Sequence, residues 1–231
     1  MGNSNQFIIS DLSENIFLIK MKEKEESIDS TFFISLSEYL RKTIKRADLI
    51  PAEESIAVKY KSLGMSSNQV KNILLAQLKK FNYSDENHEK SLLHIPVCYS
   101  EEFGLDIEDV VTKYSHSHQE VADLHSSITY KVKMIGFTPG FAYLGDLPDE
   151  LSMPRLTKPR INLLPGSVGI SGNRTGVYTL GGPGGWRIIG RTPKSLFDPS
   201  KKNPFGISTG MRIKFKAITK RQYKNYSNKK T

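Results

Sequence analysis

The sequence predicts an α+β protein of two folded units, and three observations predict it. Up to about residue 80, strand-like and helix-like periodicities interleave. From Ile128 onward the pattern is almost wholly strand-like, with dense glycine and proline between short apolar runs. Between the halves, residues 82–90 (Asn-Tyr-Ser-Asp-Glu-Asn-His-Glu-Lys) are polar and aperiodic, as an exposed connection between two cores is. The expected organisation is residues 1–85, residues 91–222 and a basic tail over 223–231.

The elements follow in order. Phe7-Ile8-Ile9 and Ile16-Phe17-Leu18-Ile19 read as strands. Phe33, Leu36, Leu40 and Ile44 recur at spacings of three and four, which predicts an amphipathic helix from about Asp29 to Arg46. Ile56 to Tyr60 is a strand, and Ser66 with Gln69 forms a capping box ahead of Val70, Ile73, Leu74, Leu78 and Phe81. His88, in the polar stretch, reads as a solvated linker residue. After a strand from Leu92 to Tyr99 come two short helices, the second opened by Ser117 and Glu120, with Val121 and Leu124 on its apolar face. Tyr130, Val132 and Met134 then alternate with lysines and Ile135, and Ile213, Phe215 and Ala217 alternate with basic residues. With the turn signals between them, these strands point to a closed or nearly closed barrel.

Composition excludes several classes. Hydrophobic residues make up 38% and charged residues 25% of the 231, and runs such as Ile73-Leu74-Leu75-Ala76 are far too short to span a bilayer. The start Met-Gly-Asn-Ser-Asn-Gln carries no basic and apolar leader, and Gln6 stands where a myristoylation signal requires Ser or Thr. A single cysteine, Cys98, excludes an internal disulfide, suits a reducing cytoplasm and reads as a buried strand residue. The net charge is +9, but Lys220, Arg221, Lys224, Lys229 and Lys230 supply five of those charges in what reads as a frayed, solvated tail. No nucleic-acid motif accompanies them. His94, His116, His118 and His125 show no ligand spacing beside an acidic third residue, so no metal site is predicted.

Three segments are too unusual for generic turns. They are Gly136-Phe137-Thr138-Pro139-Gly140-Phe141-Ala142-Tyr143-Leu144-Gly145, Leu164 to Gly172 followed by Thr175-Gly176-Val177-Tyr178, and Gly182-Pro183-Gly184-Gly185-Trp186-Arg187-Ile188-Ile189-Gly190-Arg191-Thr192. Pro139-Gly140 and Pro165-Gly166 suit positions i+1 and i+2 of type II turns. Gly182 to Gly185 is a tight turn that can also line a pocket; it lacks the Lys-Ser/Thr ending of a P-loop and opens a strand instead of a helix. With Ile95-Pro96-Val97-Cys98-Tyr99 and Leu196-Phe197-Asp198-Pro199, the segments resemble a family that holds the B subunits of bacterial 5-oxoprolinase, Kip-type inhibitors of sporulation histidine kinases and allophanate hydrolase subunit 1. The resemblance covers roughly residues 92 to 218. Ser13-Glu14, Glu53 and Gly210-Met211 depart from the residues usual in the family.

The resemblance implies a ferredoxin-like α/β domain followed by a cyclophilin-like β-barrel. It implies a subunit of an ATP-dependent amidohydrolase that opens the lactam of 5-oxoproline to glutamate, with partner subunits A and C and with ATP used by the assembled complex. The chain alone is expected to be inactive. Two rivals come with the family: a non-catalytic inhibitor gripping a sensor histidine kinase, and an amide-binding component of urea carboxylase or allophanate hydrolase. His125 belongs to the family's pattern and is the candidate catalytic residue, able to exchange a proton with an amide near neutral pH. Phe141, Gly185 and Trp186 are candidates for lining the substrate pocket. Arg155, Arg160 and Arg191 lie in or beside the motif loops and can pair with a carboxylate. If the loops share one barrel rim, His125, Phe141, Trp186 and Arg191 converge on one concavity.

Overall fold

Alternating burial along two antiparallel hairpins builds the sheet of the first unit. Phe17 and Ile19 on β2 (Ile16–Met21) and Ile56 and Val58 on β4 (Ser55–Tyr60) are all buried, as residues two apart on one sheet face are. β1 (Phe7–Ser13) pairs with β2 and β3 (Ala47–Pro51) with β4, giving the order β1-β2-β4-β3, antiparallel throughout. Helices α1 (Ser30–Thr43) and α2 (Ser67–Lys80) bring Phe33, Leu36 and Leu40, and Val70, Leu74 and Leu78, into one core with those strand residues. This is a computed structural model, and it describes residues 6–23, 30–61, 64–83 and 91–228.

Local chemistry sets the helix ends. At α2 the Ser66 hydroxyl accepts from the Gln69 N–H and the Gln69 side chain accepts from the Ser66 N–H, the reciprocal box expected from the sequence. Helix α1 stops at Thr43 and not at Arg46, because residues 47–51 are taken into the sheet by β4, from Ala47↔Tyr60 to Pro51↔Ile56. Five residues are too few to show alternation, so β3 was invisible to periodicity. Asp29, the predicted start of α1, lies outside the described residues.

The chain divides into two compact units, Met1–Glu89 and Lys90–Thr231. Residues 84–90, and His88 with them, lie outside the described residues. In the second unit, seven strands form one sheet in the order β12-β9-β10-β7-β6-β13-β5: β5 (Leu92–Val97), β6 (Thr129–Ile135), β7 (Ala142–Gly145), β9 (Ser167–Ser171), β10 (Arg174–Tyr178), β12 (Arg187–Arg191) and β13 (Arg212–Ala217). All neighbours are antiparallel except β13 and β5. The two edges meet. Cys98, just past β5, and Arg191 at the end of β12 exchange both backbone hydrogen bonds, at 2.9 and 3.0 Å, so the sheet curls until its first and last strands touch. A separate ribbon joins β8 (Arg160–Leu163) to β11 (Gly182–Gly184).

Helices α3 (Ile107–Tyr114) and α4 (His118–Ser127) add Ile107, Val110, Val121 and Ala122 to the core of this unit. The predicted box at Ser117 and Glu120 is formed in both directions. Up to residue 228 the basic C-terminal segment is not frayed: α5 (Lys220–Asn228) forms there, Tyr223 is buried, and its ring stacks on Phe103 at 4.1 Å, while Lys229 and Lys230 lie outside the described residues. One aromatic anchor outweighs the repulsion of a few exposed lysines, which the charge pattern alone does not reveal. Among the described residues no helix is long and apolar enough to cross a membrane.

Candidate functional site

Two type II turns shape the motif-bearing loops, and the first carries the aromatic side chain of Phe141 into the site. Phe141 N–H bonds Thr138 O across Pro139-Gly140, and Ser167 N–H bonds Leu164 O across Pro165-Gly166. Gly140 and Gly166 have φ of 75° and 85°, as the third residue of a type II turn requires. At Gly140 a side chain would also collide with the ring of Phe205. The first turn and the β11–β12 connection bring Phe141, Tyr143 and Trp186 together, although Phe141 and Trp186 are distant in sequence.

The rings pack edge to face: Phe141 on Trp186 at 5.2 Å and 86°, Phe141 on Tyr143 at 4.9 Å and 73°, Tyr143 on Trp186 at 5.7 Å and 72°. They form one wall of a cavity of about 290 Å³, with Tyr178, Phe137, Arg155 and Gly185 also lining it. That volume suits a small molecule. Burial raises the Tyr143 and Tyr178 phenols above their ordinary pKa, and the positive charge of Arg155 acts against that rise, so both stay protonated donors at neutral pH. Arg155 is exposed and has neither an ion pair nor a hydrogen bond among the described residues. An aromatic wall, two phenol donors and a guanidinium without a partner among the described residues can hold a flat apolar ring that carries a carboxylate.

Of the residues singled out in the sequence, Phe141, Arg155, Gly185 and Trp186 meet at this cavity. His125 does not join them. It has no exposed surface, its Nδ1 lies 2.7 Å from the Tyr99 hydroxyl, and its Nε2 lies 2.8 Å from Thr175 Oγ1. Thr175 spends its hydroxyl proton on Gly169 O, so it accepts from Nε2–H and leaves Nδ1 to accept from Tyr99. Burial lowers the His125 pKa to about 3, and the ring is neutral at pH 7. Both nitrogens are committed inside the core, which corrects the expectation of a catalytic histidine at the pocket.

The shared concavity expected for His125, Phe141, Trp186 and Arg191 is therefore not formed. Arg160 makes a two-pronged pair with Asp106, both contacts 2.8 Å, and Asp106 also accepts the Ile188 N–H at 2.7 Å. Arg191 directs its Nε to Pro165 O at 2.9 Å, next to the bridge that closes the sheet. Both arginines serve architecture, and neither lines the aromatic cavity.

Sequence reasoning missed Phe137 and Tyr178 as lining residues. The signal for Phe137 was present, since an aromatic residue two positions before a Pro-Gly turn has no place in a barrel core. Phe137 is 63% exposed and has φ 68°, a conformation costing a bulky residue on the order of 1–3 kcal/mol. The fold also gathers Glu101, Glu108 and His118, whose ligand atoms lie within 4.8 Å of one another, with His118 Nε2 2.5 Å from Glu108 Oε1. These come from a loop and two helix starts, so no spacing within one element announced them.

Comparisons with known proteins agree with the sequence resemblance. The chain is 42% identical over 142 residues to the B subunit of Bacillus subtilis 5-oxoprolinase, a match covering 62% of this chain and 59% of that protein. The chain spans about three fifths of the length of the curated relatives it matches. Among solved structures, PH0987 from Pyrococcus horikoshii superposes with a TM-score of 0.56 at 36% identity, covering 94% of this chain and 100% of that one. The urea amidolyase of K. lactis shares the fold, with a TM-score of 0.76 at 15% identity over 97% of this chain and 16% of that one. The family described as carboxyltransferase domain, subdomain C and D, matches residues 7–207, a span that holds all three motif-bearing segments, and the chain belongs to that family.

Proposed function

We propose that this chain is the B subunit of an ATP-dependent 5-oxoprolinase and that its aromatic cavity binds 5-oxoproline. The carrying observation is the 42% identity to a relative of that name, joined to a cavity formed by the motif-bearing loops. In this reading the first unit is a ferredoxin-like domain whose outermost strand comes from the N-terminus, and the second is a cyclophilin-like barrel. The protein works in the cytoplasm with subunits A and C.

5-Oxoproline is a small, nearly flat lactam ring bearing one carboxylate. Its ring faces suit Phe141 and Trp186, its carboxylate suits the planar fork of Arg155, and its lactam oxygen can accept from the Tyr143 phenol. In the assembled complex ATP would supply the driving force. With its terminal phosphoryl group on the lactam oxygen, water would add to the ring carbon, and the C–N bond would break with the nitrogen leaving as the free amine of a γ-glutamyl phosphate. A second water would hydrolyse that acyl phosphate to glutamate and phosphate. The residues of this chain bind and orient the ring. Among the described residues the cavity is lined by no nucleophile with a base in hydrogen-bonding reach, so the chain contributes positioning and leaves activation to its partners.

The test is reconstitution. Purified alone, the chain should show no ATP-dependent conversion of 5-oxoproline to glutamate, and conversion should appear when subunits A and C are added. Conversion by A and C at the same rate without this chain, or sustained turnover by this chain alone, overturns the proposal.

A further inference from the structure

Phe137 combines two features that a folded chain ordinarily avoids. Its backbone is at φ 68° at the centre of a three-residue turn closed by Thr138 N–H on Gly136 O at 2.9 Å, the positive-φ γ-turn that is rare because it is strained. The residue is 63% exposed, and its ring meets the wall of the cavity edge-on at Phe141, at 5.9 Å and 78°. Backbone hydrogen bonds hold the segment closed, from Gly136 N–H to Phe141 O at 3.1 Å and from Phe141 N–H to Thr138 O at 3.0 Å, while Thr138 Oγ1 is buried without a hydrogen-bond partner among the described residues. Glycine or asparagine would satisfy the turn at lower cost. The backbone is thus held in an unfavourable state that keeps an aromatic face at the mouth of the cavity.

We infer that Phe137 is the specificity-determining wall of the aromatic cavity, closing over a flat ring and so favouring a cyclic lactam over its ring-opened product. The inference rests on the cavity being the 5-oxoproline site. With Phe137 at the mouth and Phe141 and Trp186 behind, a flat ring in the cavity keeps apolar contact with all three. Glutamate presents no such face and would bring a second carboxylate against aromatic carbon. Loss of that contact on ring opening favours release of the product.

Trp186 is the sole tryptophan of the chain and lines the cavity, so its fluorescence reports occupancy without any turnover. The experiment titrates 5-oxoproline and, separately, glutamate into the wild-type protein and into Phe137→Gly, Phe137→Asn, Phe137→Tyr and Arg155→Gln, with a thermal melt of each. In the wild type 5-oxoproline should bind the tighter. In Phe137→Gly and Phe137→Asn that preference should shrink at least fivefold, with melting temperatures at or above wild type because strain is relieved. Phe137→Tyr should restore the preference, and Arg155→Gln should weaken both ligands. A preference that shrinks by less than fivefold in the glycine and asparagine variants overturns the inference while leaving the cavity reading intact. So does a lowered melting temperature in both variants, which assigns Phe137 to packing. No saturable response to 5-oxoproline in the wild type overturns the cavity reading, and the inference with it.

Discussion

Two clusters in the β-rich unit are built from the same kinds of residue and end in opposite states. Around His125, the rings of Tyr99, Tyr130 and Phe215 pack on the imidazole, and each polar atom finds a partner: Tyr99 to Nδ1, Nε2 to Thr175, Thr175 to Gly169 O, and Tyr130 to the His125 carbonyl. Around Trp186, the rings of Phe141, Tyr143 and Tyr178 pack equally well on one side but leave a cavity on the other, with Arg155 beside it and Phe137 held out at its edge. In the first cluster hydrogen-bonding capacity is consumed by the fold. In the second it is left over. A titratable side chain in a motif is therefore a candidate for chemistry only after its partners inside the protein have been counted.

This contrast is open to direct test. The largest effect belongs to His125→Ala, which leaves the Tyr99 hydroxyl and Thr175 without their shared partner and opens a cavity in the core. It should lower stability by about 3–5 kcal/mol in denaturant titrations while leaving the affinity of the folded protein for 5-oxoproline unchanged. Trp186→Ala should cost about 3 kcal/mol and also abolish binding, because that ring both packs and lines the cavity. An intact affinity in Trp186→Ala, or a lost one in the folded fraction of His125→Ala, breaks the distinction between the two clusters.

A pH test sharpens it. The His125 pKa is about 3 when folded, against an ordinary value of 6.5 in an open chain. Above pH 6.5 neither state binds a proton there and the contribution to stability is complete. As pH falls from 6.5 toward 3 the unfolded chain takes up a proton that the folded protein refuses, and stability falls by about 1.4 kcal/mol per pH unit. Between pH 7 and pH 5 the wild type should lose about 2 kcal/mol more than His125→Gln, whose amide supplies one donor and one acceptor; carboxylates titrate alike in both proteins and cancel. Equal losses would show that the ring is charged when folded. The smallest change in stability belongs to Arg155→Gln. It should alter the unfolding free energy by under about 0.5 kcal/mol, as exposed sites do, and still weaken 5-oxoproline binding about tenfold.

Much of this architecture was legible along the chain because it is set by local rules. Capping boxes at Ser66 and Ser117 need only residues three apart, and the turns at Pro139-Gly140 and Pro165-Gly166 need only two. The membership of Phe141, Gly185 and Trp186 in one cavity was legible for a related reason, since loop aromatics beside tight turns must find a groove or a partner. What was misplaced depended on partners far away. His125 looked available until Tyr99 and Thr175, 26 and 50 residues distant, were seen to occupy both its nitrogens. Arg160 and Arg191 looked equivalent to Arg155 until Asp106 and the Pro165 carbonyl were found against them.

By itself, then, the sequence determined the interleaved first unit, the strand-rich second, the starts of α2 and α4, and the kinship carried by three motif segments, because periodicity, capping and turn chemistry act over a few residues. Only the tertiary structure decided that β12 and β5 meet at Cys98 and Arg191, that the basic C-terminal segment is anchored as a helix by Tyr223, and that Arg155 alone of the three candidate arginines stands at the aromatic cavity. The physical reason is satisfaction at long range. A polar group is free for function when no other part of the chain has claimed it, and those claims are made by residues that only folding brings within hydrogen-bonding distance.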